Sequence, residues 1–466
     1  MFYFTLNNFQ YKKIHFIGIG GVSMSGIAGL LKNKGYEITG SDRSEGVYVK
    51  HLKKMGVPIA IGQKKENITD QDLFVYTDAI PEMNEELIAA RNTQKPVVSR
   101  GQFLGALMRN YKKSIAVSGS HGKSTTTSLI ASILLQSKED ASILLGASFD
   151  GIEGNSKLGS SEIFLAEACE YKGNIRYYFP EIAVILNIDE DHLDYFKNME
   201  DIIDCFKQYM KNLSPSSKAI LNFDDENCRK ITSAVPGKMI TFSLTSTEAD
   251  YYASDIKFNH IGQPRFTVHL PDGKEMDIDL QILGKFNISN ALAAIAACYE
   301  AEIEFEAIQM GLNSFQSLHR RMEIVGEFEE ATVLTDYGHH PIEIQLTLET
   351  LAEHKKERLI CVFQPHTYSR TKALMEAFSH AFYAADEVVV TDIMGAREVD
   401  DGSVHATELV EKLKNNGVKV SYQASFDDVE NFLHGKVKQG DLILTTGCGN
   451  IDELAYQMVK KEIDYL

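Results

Sequence analysis

The sequence predicts an α/β protein built from three domains. Strand, glycine turn and helix follow one another in three separate parts of the chain, near residues 13–42, 114–137 and 332–459. Polar side chains follow the strands at their carboxyl ends, which is typical of parallel sheets that bind ligands there. A length of 466 residues also suits about three cores of ordinary size. The predicted domains span residues 1–111, 112–316 and 317–466.

Composition excludes several classes of partner. The net charge of −18 argues against a surface for nucleic acid or anionic membrane, so an anionic substrate needs local cations. The six cysteines form no CxxC pair, which favours reduced thiols over a disulfide framework. The opening MFYFTLNNFQYKK has no basic segment of the kind found in signal peptides, and no apolar stretch approaches the ~20 residues of a membrane span. We therefore expect a cytoplasmic protein without nucleic-acid or membrane partners.

The first strand, turn and helix resemble a nucleotide-binding opening. IHFIGI predicts a strand, GGVSMSG a turn, IAGLLKNKG a helix and YEITGSD a second strand that ends at Asp42, where such folds place an acid on a ribose. Gly18 and Gly20 fit the dinucleotide fingerprint, but Ser23 occupies its third glycine position and the next glycine is Gly26. A nicotinamide cofactor, another nucleotide and a purely structural turn therefore all remain open.

Two further strands are predicted in the first domain. LFVYTDAI, residues 73–80, carries Thr77 and Asp78 at its carboxyl end, and PVVSR, residues 96–100, ends in Arg100. These polar groups are expected at the same edge as the glycine turn.

A phosphate-binding loop is predicted in the middle of the chain. Ile115 to Val117 reads as a buried strand, and SGSHGKS then leads into the helix TTTSLIASILLQS. Such a loop points backbone N–H groups at a polyphosphate, with Lys123 on the outer phosphates and Ser124 on Mg²⁺. The match covers only the inner half of the P-loop pattern, from Gly119 to Ser124, because Val117 stands where a glycine is usual. A glycine turn with a chance lysine is the alternative.

Candidate metal ligands follow the next two strands. Ile163 to Ala166 predicts a strand that delivers Glu167, and a carboxylate there commonly orders the metal of a P-loop. The strand of residues 182–186 leads to Asn187 and His192, and the imidazole is a candidate ligand of a second divalent ion. We interpret the three neighbouring aspartates as caps of the following turn: Asp189, Asp191 and Asp194.

The rest of the second domain gives fewer signals. Residues 218–279 predict strands and hairpins in which we identify no chemistry. Asn287 and Asn290 lie near the start of the next predicted helix, where their amides either face an adenine or cap the helix.

The third domain returns to alternating strands and helices. SFQSLHRRMEIVGE, which contains Arg320 and Arg321, is predicted to be a hinge. Four strand and helix units follow, and their polar strand ends predict a second ligand surface, with solvated loops as the alternative. No Ser-His-Asp or Cys-His pattern emerges, and Cys448 has no identifiable base. The strand-end residues are Asp336, Tyr337, His339, His340, His366, Tyr368, Arg370, Arg397, Glu398, Asp400 and residues 447–450.

The motifs, taken in order, resemble those of the Mur ligases over essentially the whole chain. They are HFIGIGGVSMSGIA, YTDAI, SGSHGKSTTT, EACEY, NIDEDHLDYF, GKFNISNALAA, HRRMEIVGE, DYGHHPIEI, FQPHTYSRT, AREVDDGS and GCGNIDEL. The resemblance implies a Rossmann-like UDP-sugar domain, a central P-loop ATPase-type domain with a parallel sheet, and a Rossmann-like amino-acid domain. It also implies ATP-dependent joining of L-alanine to the lactyl carboxylate of UDP-N-acetylmuramate through an acyl phosphate, in peptidoglycan precursor synthesis. The alternatives are a ligase that recycles a cell-wall tripeptide, a nicotinamide-dependent oxidoreductase and a non-catalytic nucleotide-binding protein.

The resemblance also implies roles for individual residues, with a monomer or weak homodimer as the expected assembly. The UDP-sugar residues are Gly18, Gly20, Gly21, Ser23, Met24, Ser25, Asp42, Thr77, Ala79, Arg100 and Glu170. The ATP residues are Gly119, Ser120, His121, Gly122, Lys123, Ser124, Thr125, Asn287, Asn290, Arg321 and Asp336. The amino-acid residues are Tyr337, His339, His366 and Arg370, and the ligands of Mg²⁺ or Mn²⁺ are Ser124, Glu167 and His192. The residues expected to be catalytic are Lys123, Glu167, His192, Arg321, His366 and Arg370.

Three positions depart from the family pattern. The loop has GSHGKS where GTHGKT is usual, and serine keeps the hydroxyl. Phe286 stands where a histidine often precedes the asparagine near adenine, and Asn450 replaces a frequent aspartate.

Overall fold

The computed structural model describes residues 2–192, 195–259, 262–316, 318–355, 357–396 and 398–461. Three sheets, each flanked by helices, follow one another along the chain, which confirms the predicted α/β class. None of the helices in these ranges combines the length and apolar character that a bilayer crossing needs.

The N-terminal sheet has five parallel strands in the order β3-β2-β1-β4-β5. Because β1 pairs with β2 on one side and β4 on the other, the turn after β1 opens at the point where the strand order reverses. Its elements are β1 (Lys13–Ile17), α1 (Val22–Lys34), β2 (Glu37–Asp42), α2 (Val47–Lys54), β3 (Ile59–Ile61), β4 (Leu73–Tyr76), α3 (Glu85–Asn92), β5 (Val97–Ser99) and α4 (Arg100–Met108).

The predicted start of the first helix was wrong. Helix α1 begins at Val22, so Ser23, Met24 and Ser25 lie in its first turn and not in the glycine turn. The serines do not break the helix because Ser25 Oγ donates to the carbonyl of Val22 at 2.8 Å, which keeps its hydrogen bond within the first turn.

The central sheet has ten strands in the order β15-β14-β13-β12-β11-β10-β6-β9-β7-β8. The predicted parallel sheet forms its middle, from β13 to β7, while β8 at one edge and β14 and β15 at the other run antiparallel to their neighbours. Its elements are β6 (Lys113–Ser118), α5 (Lys123–Gln136), β7 (Ser142–Phe149), β8 (Gly154–Lys157), β9 (Ile163–Glu167), β10 (Ile182–Ile185), α6 (Met199–Met210), β11 (Lys218–Asn222), α7 (Glu226–Ile231), β12 (Lys238–Ser243), β13 (Tyr251–Phe258), β14 (Pro264–His269), β15 (Glu275–Asp279), α8 (Phe286–Glu300) and α9 (Phe305–Ser314).

The C-terminal sheet has six strands in the order β16-β17-β21-β18-β19-β20, and only the β16–β17 pair is antiparallel. Strand β21 lies between β17 and β18, so the loops that follow these three strands meet at one edge. Its elements are β16 (Glu323–Phe328), β17 (Ala331–Asp336), α10 (Pro341–His354), β18 (Leu359–Phe363), α11 (Tyr368–Ala373), α12 (Met375–Ser379), β19 (Glu387–Val390), α13 (Ala406–Asn415), β20 (Val420–Tyr422), α14 (Phe426–Leu433), β21 (Leu442–Thr446) and α15 (Ile451–Val459).

The first two units share one apolar core. Phe103 and Leu107 of α4 belong to the same buried cluster as Phe164 and Tyr178 of the central unit. A Cβ added to Gly105 of α4 would lie 2.0 Å from the carbonyl oxygen of Tyr177, so glycine allows the backbones to touch. The C-terminal sheet has two apolar cores of its own. Among the described residues of the central unit, Leu283 and Phe286 are the ones that pack into these cores.

Candidate active site

The loop of residues 119–122, which we call the cradle, joins β6 to α5 and has the geometry of the phosphate-binding loop that the sequence predicts. Gly119 has φ 138° and Gly122 has φ 82°, backbone conformations that side chains disfavour. A Cβ on Gly122 would also lie 2.6 Å from Asn290 Oδ1, so glycine lets the loop approach helix α8. With Lys123 the chain enters α5, whose first N–H groups face the loop and favour an anion.

Lys123 is a buried cation held beside the cradle. Its Nζ donates to the carbonyl of Ser120 at 2.9 Å and to Glu170 Oε1 at 3.2 Å. Burial opposes the charge, but Glu170, followed by Cys169 and Glu167, outweighs it and raises the pKa of Lys123 above its ordinary value. Lys123 therefore stays protonated at neutral pH and can offset phosphate charge.

Ser124 and Glu167 form a pair of oxygen ligands next to Lys123. Ser124 Oγ donates to Glu167 Oε2 at 2.8 Å, with Ser124 at the start of α5 and Glu167 at the end of β9. Hydroxyl and carboxylate oxygens suit Mg²⁺, which keeps several waters and usually takes one or two carboxylates beside substrate phosphates. The chemistry of this pair fits the predicted metal.

His192 lies in a second group of possible ligands. One donor atom from each of Glu170, Asp191 and His192 lies within 4.8 Å of the others. Glu170 is only 1 % exposed, and its Oε2 has no hydrogen-bond partner, which fits a carboxylate arranged for a cation. The predicted metal set is thus divided, because Glu167 pairs with Ser124 and is not a member of this group. The carboxylates suit Mg²⁺ or Mn²⁺, and an imidazole beside them is more typical of a transition ion.

A cavity of about 360 Å³ opens beside the cradle, between the central and C-terminal units. Its walls bring together His121, Asn287, Asn290, Arg321 and Asp336, for which the resemblance implies ATP binding. Apolar side chains such as Leu244, Phe286 and Leu346 line other parts of it. The mixture of an apolar wall with a few polar groups is typical of a small-molecule or cofactor site.

Part of the cavity wall comes from a region without a recognised motif. The region of residues 218–279, in which we identify no chemistry from the sequence, contributes Asn222, Asp224 and Leu244 to the cavity wall. Asn222 and Asp224 lie at and just beyond the end of β11, and a parallel neighbour of β10 necessarily ends at the same edge.

The C-terminal wall of the cavity is held by hydrogen bonds to a buried carboxylate. Asp336 accepts from the N–H of Met322 at 2.9 Å and from that of Gly338 at 2.8 Å. Burial raises the pKa of Asp336 in spite of Arg321 and these N–H groups. Arg320 turns away, donating to the carbonyls of Gly447 and Gly449, which gives it a structural role.

The predicted amino-acid residues gather around the loops after β17, β18 and β21. Arg370 Nη1 lies 3.4 Å from His366 Nδ1 and 3.8 Å from Cys448 Sγ. The guanidinium of Arg321 lies 5.1 Å from the centre of the Tyr337 ring. His339 is adjacent, with its Nδ1 3.1 Å from the carbonyl of Tyr337. Two cations, Arg321 and Arg370, thus lie near Tyr337 and suit a carboxylate or a transferred phosphate.

The predicted sugar-nucleotide residues surround the turn after β1. Gly20 N–H donates to Asp42 Oδ2 at 2.8 Å, so Asp42 fixes the turn of Gly18, Gly20 and Gly21. Arg100 Nη1 donates to Ser23 Oγ at 3.3 Å. Thr77 and Ala79 lie just beyond β4 and complete this edge.

Arg100 lies near both Ser23 of α1 and Glu167, the carboxylate that accepts from Ser124. Burial lowers the pKa of its guanidinium, but Tyr178, Cys169, Asp78 and Glu167 outweigh burial and raise it. Glu170, predicted to contact the sugar, lies beside the cradle, where its Oε1 accepts from Lys123 Nζ at 3.2 Å. Met24 and Ser25 are buried in the first turn of α1. Asp194 and Arg397, predicted respectively as a turn cap and a strand-end ligand, lie outside the described residues.

The sequence did not identify Glu343 as a functional residue. It lies in the first turn of α10, and its Oε1 is 3.1 Å from His121 Nδ1 of the cradle. The motif DYGHHPIEI contains it, but only its spacing after His339 and His340 hinted at a helix cap.

Matches to family models cover most of the chain. Residues 13–112 match the model for the Mur ligase family, catalytic domain, residues 117–298 the Mur ligase middle domain, and residues 320–449 the Mur ligase, glutamate ligase domain. The chain belongs to the Mur ligase family.

Within this family the chain is similar to proteins named UDP-N-acetylmuramate–L-alanine ligase. It is 43% identical to that of Clostridium novyi (strain NT) over 94% of this chain and 95% of the relative. It is 42% identical to that of Clostridium acetobutylicum over 98% of this chain and 100% of the relative. The crystal structure of UDP-N-acetylmuramate-alanine ligase MurC from Thermotoga maritima superimposes with a TM-score of 0.80 at 26% identity, covering 96% of this chain and 98% of that one.

Proposed function

We propose that the protein joins L-alanine to the lactyl carboxylate of UDP-N-acetylmuramate, with ATP converted to ADP and phosphate. The observation that carries the proposal is the cavity in which cradle residues, the two asparagines of α8 and the Arg321–Asp336 wall meet. The names of relatives that are 40–43% identical over nearly their whole length support the choice of substrates. We further propose a cytoplasmic enzyme that works as a monomer or weak homodimer.

The order of the three units suggests where each substrate lies. The sugar nucleotide lies on the turn after β1, with its lactyl end toward Arg100 and the cradle. ATP lies in the cavity, with its phosphates on residues 119–125. The amino acid lies near Tyr337, His366 and Arg370, so the three reacting groups meet between the cradle and the C-terminal loops.

The chemistry requires two anions to approach each other. A lactyl oxygen attacks the γ-phosphorus of ATP, ADP leaves, and the carboxylate becomes an acyl phosphate with a good leaving group. Lys123 and Arg321 offset the repulsion, while backbone N–H groups of the loop hold the phosphates in line. Mg²⁺, held by Ser124 and Glu167 with a second site at Glu170, Asp191 and His192, would neutralise phosphate charge.

The second step requires a neutral amine and the absence of water. The amine attacks the carbonyl carbon and phosphate leaves through a tetrahedral intermediate. Arg370 is suited to hold the amino-acid carboxylate or the departing phosphate. Approach of the C-terminal unit to the cradle excludes water that would hydrolyse the acyl phosphate.

The test is phosphate release with each substrate omitted in turn. We expect release only when ATP, UDP-N-acetylmuramate and L-alanine are all present. Phosphate release that does not depend on the amino acid would contradict the proposal. A comparison of L-alanine with a cell-wall tripeptide as acceptor separates the proposal from the recycling ligase, and faster use of the tripeptide would favour that alternative.

A further inference from the structure

His121, in the middle of the cradle, reaches across to the C-terminal unit. Its Nδ1 lies 3.1 Å from Glu343 Oε1 on α10, and its Nε2 lies 3.5 Å from Asp189 Oδ2 of the central unit. The imidazole therefore lies between carboxylates that belong to two different units. Both His121 and Glu343 are largely buried, with side-chain exposures of 17% and 21%.

Each end of this contact is fixed to the backbone of its own unit. His121 N–H donates to Asn187 Oδ1 at 2.7 Å, and Asn187 Nδ2 donates back to the carbonyl of His121 at 3.1 Å. On the other side, Glu343 Oε2 accepts from the N–H groups of His339 and His340 at 3.1 and 3.2 Å, at the start of α10. A displacement of the cradle is therefore transmitted to the loop that leads from Asp336 into α10.

The charges of the surrounding groups favour an ion pair. Burial disfavours a charged imidazole and Lys123 opposes it, but Glu343 and Asp189 raise the pKa of His121 above its ordinary value. The pKa of Glu343 is held well below its usual range, because His339, His121 and Arg321 outweigh burial. His340 also faces His121, with ring centres 5.7 Å apart.

The three units pack against one another to different extents, which makes the His121–Glu343 contact important. The N-terminal and central units share a continuous apolar core, whereas Leu283 and Phe286 are the described central residues that join a C-terminal core. A second polar contact between the central and C-terminal units joins His319 Nε2 to Asp150 Oδ1 at 3.1 Å. Neither residue belongs to the cradle. The C-terminal unit thus shares no continuous core with the rest of the described chain, so polar contacts such as His121–Glu343 can contribute to its position.

We propose that His121 and Glu343 are positioning residues that couple occupation of the cradle to closure of the C-terminal unit. Triphosphate on the loop fixes the backbone of His121, and Glu343 then holds α10 with the Arg321–Asp336 wall against the nucleotide. By reciprocity, a closed C-terminal unit also binds the nucleotide more tightly. The role in turnover rests on the proposed function, but the coupling itself needs only nucleotide binding.

The experiment measures closure without turnover. Small-angle X-ray scattering follows the radius of gyration of the full chain while a β,γ-imido analogue of ATP is added with Mg²⁺. We expect the wild type to contract, and His121→Ala and Glu343→Gln each to need at least about fivefold more analogue for half of the contraction. Glu343→Gln is close to isosteric, so it carries the test alone if His121→Ala does not fold.

Two controls separate coupling from general damage. Asp150→Asn removes the negative charge from the second polar contact at the junction, at a side chain that is 86% exposed, and we expect it to leave the analogue requirement at the wild-type value. The double variant of His121 and Glu343 should be no worse than the single ones, because both remove the same contact. Steady-state assays should show a higher KM for ATP as well as a lower kcat.

Three results would overturn the proposal. They are a wild type that does not contract, single variants that close at wild-type analogue concentrations, and a double variant whose effect is the product of the two single effects. A wild type that contracts but forms no amide would remove the proposed function and leave the coupling intact. A wild type that forms the amide, with variants that close normally, would remove the coupling alone.

Discussion

Replacing Lys123 by alanine should damage the protein in two separable ways. The substitution removes the cradle's cation, and it also leaves Glu170, 1 % exposed, without its partner at 3.2 Å. At that distance and an effective dielectric constant of about 20, the gross attraction is about 5 kcal/mol, an upper bound. Breaking one side of a buried pair usually destabilises a protein by about 3 to 5 kcal/mol.

A double variant separates the loss of stability from the loss of chemistry. Glu170→Gln removes the stranded charge, so we expect Lys123→Ala with Glu170→Gln to regain about 2 kcal/mol or more of unfolding free energy. It should not regain turnover, because one cation aimed at developing charge is worth about 100-fold or more in kcat.

Urea unfolding and phosphate release measure the two quantities on the same samples. Glu170→Gln alone is the matched control for the effect of the amide. The reasoning would be refuted if Lys123→Ala kept wild-type turnover. It would equally be refuted if the double variant were no more stable than Lys123→Ala.

Three other predictions concern packing, pH and the metal. Gly105→Ala should destabilise the protein by about 2 kcal/mol in urea unfolding, because the added Cβ would meet the Tyr177 carbonyl. Gly46 is the control: an added Cβ would have nothing within 4 Å, so Gly46→Ala should change the unfolding free energy by less than about 0.5 kcal/mol. Equal effects of the two substitutions would contradict the packing described. Glu323, against burial and with help from Asp150, raises the pKa of His319 from 6.5 to about 9. His319 should therefore add about 1 to 2 kcal/mol to the unfolding free energy relative to His319→Asn. This difference should be complete below pH 6.5 and disappear as the pH rises through about 9. A difference that does not change with pH would refute the prediction. Ser124→Ala should raise the Mg²⁺ concentration needed for half-maximal turnover about tenfold. Ser124→Thr keeps the hydroxyl, so it should need about the same Mg²⁺ concentration as the wild type. An unchanged Mg²⁺ requirement in Ser124→Ala would exclude Ser124 as a ligand.

The parts of the site that the sequence predicts are those encoded in one short segment. The strand, loop and helix around Lys123 are contiguous, and Gly119 and Gly122 mark the turns that only glycine makes easily. The residues at strand ends, such as Glu167 and Asp336, could be placed because parallel strands end at a common edge.

The contacts between distant segments could not be predicted in the same way. Glu170 and Lys123 are 47 residues apart, and His121 and Glu343 are 222 apart, so no local pattern relates them. The contribution of Asp224 to the cavity depends on the position of β11 beside β10, which hydrophobic alternation does not reveal.

Secondary-structure elements also differ in how well the sequence predicts them. The strands with continuous apolar runs, β6 and β10, were predicted because buried parallel strands need such runs. Residues 218–279 were predicted only as a region of strands and hairpins, without the bounds of β13, because YYASDIKF is mostly partly or fully exposed and lacks apolar alternation. The shared core of the first two units depends on Gly105 touching Tyr177, a contact between residues 72 positions apart (177 − 105).

The most direct test of the proposed reaction follows one oxygen atom. UDP-N-acetylmuramate labelled with ¹⁸O in its lactyl carboxylate is incubated with ATP, Mg²⁺ and L-alanine, and mass spectrometry measures both products. If the carboxylate attacks the γ-phosphorus, the bridging oxygen leaves with phosphate, so one ¹⁸O should appear in each phosphate and the other should remain in the amide. Amide formed together with unlabelled phosphate would contradict the acyl phosphate, and the absence of any amide would contradict the proposed function itself.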